Sequence, residues 1–264
     1  MPEGHTIRHL ATVHEKWFAG KKVKASSPQG RFALYARQID DQVMTHASAH
    51  GKHLFLHFGR PIVHVHLGLY GWFTLTKAAQ EQPTHTTRLR LQNDEYTSDL
   101  VGPTKCELIT EEQMHLITAK LGPDPIHENA DADQAWNNIS KSKKSIASLL
   151  MNQAVIAGVG NVYRAELLFR AQIDPMMPGN KLSRDEFDEI WCDARALLRI
   201  GAVDGVIKTV NPQYLTSEEA AIGGHAQFSY VYKRTGLPCR ICNTKIEQSN
   251  VDGRKLYWCP ECQI

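Results

Sequence analysis

The positions Ile7, Leu10, Ala11, His14, Trp17 and Phe18 follow a three-four spacing, which predicts an amphipathic helix. Pro2 and Glu3 stand at its start and Gly20 where a C-terminal cap belongs. From Lys21 to about Arg90 the pattern changes to short alternating runs: Ala33 to Ile39, His53 to Phe58, Ile62 to Leu67, Trp72 to Leu75 and Arg88 to Leu91. Gly51, Gly59, Gly68 and Gly71 interrupt them, so a β-sandwich or barrel is expected. Leu121-Gly122-Pro123-Asp124-Pro125 ends a helix and reads as a linker. Helical spacing then governs Lys144 to Gln153, Val162 to Ala171 and Ser183 to Ile200, an all-helical second domain. Alternating segments around Lys245–Ile246 and Lys255–Trp258, with a turn at Val251-Asp252-Gly253, predict a closing β-hairpin. The expected class is α+β, with domains at 1–121, 122–227 and 228–264.

Composition narrows this picture only slightly. A chain of 264 residues with 42% hydrophobic and 22% charged content is that of an ordinary globular protein, without an apolar run long enough for a membrane span. MPEGHTIRHL lacks the apolar core of a secretory signal, so a reducing cytoplasm is expected, where cysteines are free, catalytic or metal-bound. A net charge of +2 neither demands nor excludes nucleic acid. Lys141, Lys143 and Lys144, with Lys233, Arg234, Arg240 and Lys245, form either one basic face or scattered solvated charge.

Cysteine spacing is the sharpest signal. Cys239 and Cys242 form one C-x2-C pair, Cys259 and Cys262 a second, and sixteen residues separate them. This doubled spacing predicts one structural Zn2+ held by four thiolates at the base of the hairpin. Cys106 and Cys192 stand alone and read as small buried hydrophobes.

Other features are weaker individually. Gly158-Val159-Gly160-Asn161 lies between two helices, with Asn161 expected to cap the second; such a turn can seat a phosphate or be merely structural. The small residue at position 2 permits removal of Met1, which would free the Pro2 amine beside Glu3. An α-amine with a reference pKa of roughly 7.7–8.0 is partly neutral and nucleophilic near neutrality, although proline is also a common helix starter. Lys52 occupies the turn His50-Gly51-Lys52 before a strand. His64 and His66 share a strand face, but without a nearby carboxylate in the sequence they make a poor metal set.

Together, and in this order, these features resemble the formamidopyrimidine-DNA glycosylase and endonuclease VIII family. The resemblance spans essentially the whole chain, through LGPDP, LLMNQAVIAGVGNVYRAELLF and GRKLYWCPECQ. It implies a helix-two-turn-helix domain and a bifunctional base-excision enzyme acting on damaged double-stranded DNA. Pro2 would attack C1′ and form a Schiff base, and Glu3 would protonate the ring oxygen. Lys52 would contact phosphate and assist proton transfer, and Arg254 would grip the lesion phosphates. Gly158, Gly160 and Asn161 would clamp the backbone, and Leu69 and Tyr70 would fill the gap left by the extruded base.

Departures from the family pattern favour oxidised pyrimidines. His5 replaces an acidic residue and Gly68 a polar or bulky one, Asp99 to Pro103 lacks arginines, and the stretch from Thr216 to Phe228 is short for a loop covering an oxidised purine. A monomer in the bacterial cytoplasm, associated with the nucleoid and not with a membrane, is expected. The alternatives are an 8-oxoguanine and formamidopyrimidine glycosylase, or a non-catalytic damage-binding protein.

Overall fold

The computed structural model describes residues 2–77, 82–215 and 228–264. The chain divides into two compact units, Met1–Lys120 and Leu121–Ile264.

The first unit opens with helix α1 (Gly4–Phe18), which buries Ile7, Leu10, Ala11, His14 and Phe18 along one stripe. Strand β1 (Lys22–Ser26), helix α2 (Ala33–Ile39) and strands β2 (Gln42–Val43) to β9 (Lys105–Ile109) follow, and helix α3 (Glu111–Thr118) closes the unit. Between them run β3 (His46–His50), β4 (His53–His57), β5 (Ile62–His66), β6 (Trp72–Lys77), β7 (Thr87–Gln92) and β8 (Tyr96–Val101). One sheet has the order β2-β1-β7-β8-β6 and the other β3-β4-β5-β9. Leu89, Leu91 and Leu100 of the first share a core with Leu54, Leu56, Val63 and Val65 of the second and with α1, which makes a sandwich.

Residues 33–39 are helix, not the expected strand. Phe32, Ala36 and Ile39 are buried at four- and three-residue intervals, so one helix face holds all three where alternation would put Ile39 on the opposite side. The expected shortness of the stretch from Thr216 lies outside the described residues as far as residue 227.

The second unit contains α4 (Ala132–Ile139), α5 (Ile146–Met151), α6 (Asn161–Arg170) and α7 (Arg184–Asp204), then the hairpin β10 (Glu247–Val251) and β11 (Arg254–Trp258). Helix α7 begins with a Ser183–Glu186 capping box and ends at Gly205, whose φ of 74° favours glycine. The hairpin has no separate core. Ile246, Val251, Leu256 and Tyr257 bury with Leu150, Val162 and Leu168 of the helices. No described helix is long and apolar enough to cross a membrane.

Candidate functional site

In the first unit, Glu3 occupies the N-cap of α1 and is wholly buried, while Pro2 immediately before it is half-buried. The Glu3 carbonyl accepts from Thr6 and Ile7 N–H at 3.0 and 3.3 Å, so the helix fixes this backbone. His5 is also buried and its Nε2 lies 3.1 Å from the Thr6 hydroxyl. Lys52 sits in the tight turn from β3 into β4, where Gly51 has a φ of 56°.

Leu69 and Tyr70 stand out from the loop between β5 and β6, with exposures of 53% and 81%. Glycine is required beside them: Gly68 has a φ of +67°, and a Cβ there would lie 1.8 Å from Thr104 Oγ1. Within Asp99 to Pro103, the stretch without the expected arginines, Asp99 pairs with Arg90, with Nε–Oδ1 at 2.7 Å.

On the β3-β4-β5-β9 sheet, His53 and Glu107 join His64 in a hydrogen-bonded network. His53 Nδ1 is 2.8 Å from His64 Nε2, and His64 Nδ1 is 2.8 Å from Glu107 Oε1. Glu107 therefore supplies a carboxylate that sequence proximity does not reveal, because β5 and β9 pair His64 with Glu107. It holds His64 by a hydrogen bond, and no metal cluster includes these residues among those described. Burial, then the neighbouring His64, His66, His50 and Lys105, lowers His53 to about 3. Burial also lowers His64, against the pull of Glu107, and lowers His66, with His64, Lys52 and Lys105 adding to the effect. Burial works to raise the Glu107 carboxyl, yet the His64 hydrogen bond and Lys105 leave it below its ordinary value.

In the second unit, Gly158 has a φ of 88° and donates its N–H to Gln153 Oε1 at 3.1 Å, while Gln153 Nε2 donates to Val159 O at 2.8 Å. Gln153 thus braces the turn from within. The N-cap of α6 is Gly160, and Asn161 is the first helical residue rather than a cap. Its side chain is committed elsewhere: Nδ2 donates to Lys255 O at 2.9 Å and Oδ1 accepts from Arg164 Nη2. Arg164, wholly buried, also donates to Lys255 O at 3.0 Å.

These bonds tie the α6 N-terminus to the residue after Arg254. Arg254 follows a two-residue turn, Asp252 and Gly253, whose φ values of 50° and 73° match the tight turns favoured by twisted hairpins. A cavity of ≈ 270 Å³ nearby is lined by Lys144, Ser148, Asn152, Arg164, Asp252 and Arg254. Lys144 therefore joins Arg254, but Arg234 and Arg240 of the expected basic face are spent on carbonyls: Arg234 on Pro238 O at 2.9 Å and Arg240 on Tyr214 O at 3.0 Å.

The ligand atoms of Cys239, Cys242, Cys259 and Cys262 all lie within 4.8 Å of one another. Sγ separations of 3.9 Å for Cys239–Cys262 and 3.4 Å for Cys242–Cys259 exclude disulfides and approach the ~3.8 Å edge of a tetrahedron with ~2.3 Å metal–sulfur bonds. A hydrogen bond to Thr244 lowers the Cys242 thiol, whereas burial raises those of Cys259 and Cys262. The residues present fit a bound metal ion. Of the lone cysteines, Cys106 is pushed up to about 12 by burial, but Cys192 is exposed on α7 instead of buried.

Comparison with known proteins assigns these features to a class. Residues 1–105 match the formamidopyrimidine-DNA glycosylase N-terminal domain, and residues 121–211 its H2TH domain. The class is that of DNA-repair glycosylases with an N-terminal sandwich and a helix-two-turn-helix unit. Endonuclease 8 1 of Mycobacterium tuberculosis is 46% identical over 268 residues, and endonuclease 8 of Escherichia coli 30% over 276, each match covering 100% of both chains. The chain belongs to the formamidopyrimidine-DNA glycosylase and endonuclease 8 family of DNA glycosylases and abasic-site lyases. A Lactococcus lactis Fpg solved with abasic-site DNA has the same fold, with a TM-score of 0.80 at 23% identity over 99% of each chain.

Proposed function

We propose that this chain removes oxidised pyrimidines from duplex DNA and cleaves the strand through a Schiff base on Pro2. The observation that carries the reading is the buried Glu3 carboxyl at the head of α1, one residue from a half-buried Pro2. Once Met1 is removed, the Pro2 nitrogen lone pair attacks C1′ of the extruded nucleotide. The base departs with the bonding electrons and a proton. Glu3 gives a proton to the ring oxygen as the C1′–O bond breaks, and the remaining C1′=N+ iminium acidifies C2′. Loss of a C2′ proton expels the 3′ phosphate, and a second elimination expels the 5′ phosphate.

Lys52 contacts phosphate and relays protons in this scheme, and Arg254 holds the lesion phosphate through its planar fork. The Gly158 to Asn161 turn presents the α6 N-terminus to the backbone. Leu69 and Tyr70, exposed on a glycine-built loop, fill the vacated stack. Cys239, Cys242, Cys259 and Cys262 would hold one Zn2+, whose contribution is to fix the hairpin fold. The pyrimidine preference is supported by the stretch Asp99 to Pro103, which lacks arginines, and by His5 and Gly68 where the family pattern has other residues. The enzyme acts as a monomer in the bacterial cytoplasm, at the nucleoid.

Borohydride trapping tests this on duplexes carrying an abasic site, thymine glycol or 8-oxoguanine. Adducts with the first two are expected. Failure of processed protein to trap on an abasic site removes the Pro2 mechanism, and preferential trapping on 8-oxoguanine reverses the substrate assignment.

A further inference from the structure

We propose that His53, His64, His66 and Glu107 are positioning residues that hold the Lys52 turn and the Leu69–Tyr70 loop in one register, resting on the reading of those elements given above. The hydrogen bonds fix each ring's tautomer. Glu107, ionised near neutrality, can only accept, so His64 donates from Nδ1 at 2.8 Å. His64 Nε2 is then an acceptor and takes the Nδ1–H of His53, also at 2.8 Å. The lone pair left on His53 is at Nε2, on the residue after Lys52.

His66 completes the link. Its ring meets that of His53 edge-on with centroids 5.0 Å apart, and its Nδ1 accepts the backbone N–H of Gly68 at 3.1 Å. A backbone amide can only donate, so neutral His66 carries its proton on Nε2. Gly68 starts the loop that exposes Leu69 and Tyr70, and its φ of +67° sets the direction in which the loop leaves β5. One chain of contacts thus runs from β9 through β5 and β4 to the Lys52 turn and back to the loop after β5.

The link from His66 to Gly68 holds only while His66 is neutral. A proton taken up at His66 Nδ1 places a donor against the Gly68 N–H and breaks that bond. Protonation is resisted by burial and by the groups facing His66: His53 from β4, His64 on β5, Lys105 on β9 and Lys52 on the turn. Glu107, the acid in this group, is already bound to His64. Release of Gly68 therefore occurs below the ordinary histidine range.

The test uses the full chain and a duplex with a tetrahydrofuran abasic analogue beside 2-aminopurine, whose fluorescence reports unstacking when the loop inserts. The analogue cannot form an imine, so this readout is independent of the Pro2 amine. As pH falls below about 6.5, the ordinary histidine value, the wild-type signal is expected to fall. His66→Asn places a non-titrating acceptor where Nδ1 stood and should recover most of the signal with a flat pH profile, while His66→Phe lowers the signal throughout. Single-turnover cleavage of a true abasic site should slow about tenfold in Glu107→Leu and be largely restored in Glu107→Gln, which still accepts from His64. An acid response that survives in His66→Asn, or Glu107→Leu cleaving as the wild type does, overturns the network. Absence of borohydride-trapped wild-type adduct alongside a normal fluorescence response refutes the Pro2 reading instead, so the two failures are distinguishable.

Discussion

Replacing Glu166 with glutamine should destabilise the second unit far more than its near-identical shape suggests. The wholly buried Glu166 carboxylate accepts four hydrogen bonds: Tyr230 N–H at 2.7 Å, Val231 and Tyr232 N–H at 2.9 Å, and the Thr209 hydroxyl. Glutamine has one acceptor oxygen. In its better orientation that oxygen keeps Val231 and Tyr232, and its NH2 faces Thr209, whose hydroxyl can turn to accept while donating to Phe228 O at 2.8 Å. The Tyr230 N–H is then stranded.

A stranded buried amide costs about 1–3 kcal/mol, and two bonds reduced from charge-assisted to neutral cost about 1 kcal/mol each. The sum, ~3–5 kcal/mol, corresponds to a fall on the order of 10 °C in melting temperature for a unit of this size. Urea unfolding followed by tryptophan fluorescence measures it, since Trp136, Trp191 and Trp258 all lie in this unit. A loss below about 1 kcal/mol would show that the carboxylate's charge and second oxygen do not matter, refuting the reasoning.

Three further outcomes are expected. His14, wholly buried between Leu10 O at 2.7 Å and Ser98 Oγ at 2.8 Å, is lowered to about 4 by burial; its neutral form should stabilise the first unit fully above about pH 6.5, and on the order of 3 kcal/mol should be lost as pH falls to 4, measurable as a drop in melting temperature absent from His14→Gln. Chelation of the metal should abolish cleavage of duplex DNA and circular-dichroism signatures of the hairpin together, with zinc alone restoring both; cleavage that persists in metal-free protein would uncouple Arg254 from the four cysteines. Gly68→Ala should cost about 1–2 kcal/mol for the left-handed backbone, plus displacement of Thr104, read by thermal melting.

What the sequence determined by itself is local or rigidly spaced. The four cysteines, the α1 stripe, the hairpin turn and the helices around Val162 and Ser183 are legible because periodicity and short-range spacing act within a few residues. The helix at 33–39 was not, because its two core residues, Ala36 and Ile39, sit in a segment too short for periodicity to outvote the surrounding strands. Asn161 shows the same limit at a site: Asn beside a helix start suggests a cap, but Lys255 O, distant in sequence, claims its side chain. The pairing of His64 with Glu107 exists only because β5 and β9 lie side by side, 43 residues apart in the chain. Tertiary structure decided which polar residues meet, since hydrogen bonds extend about 3 Å and folding alone brings distant partners within that reach.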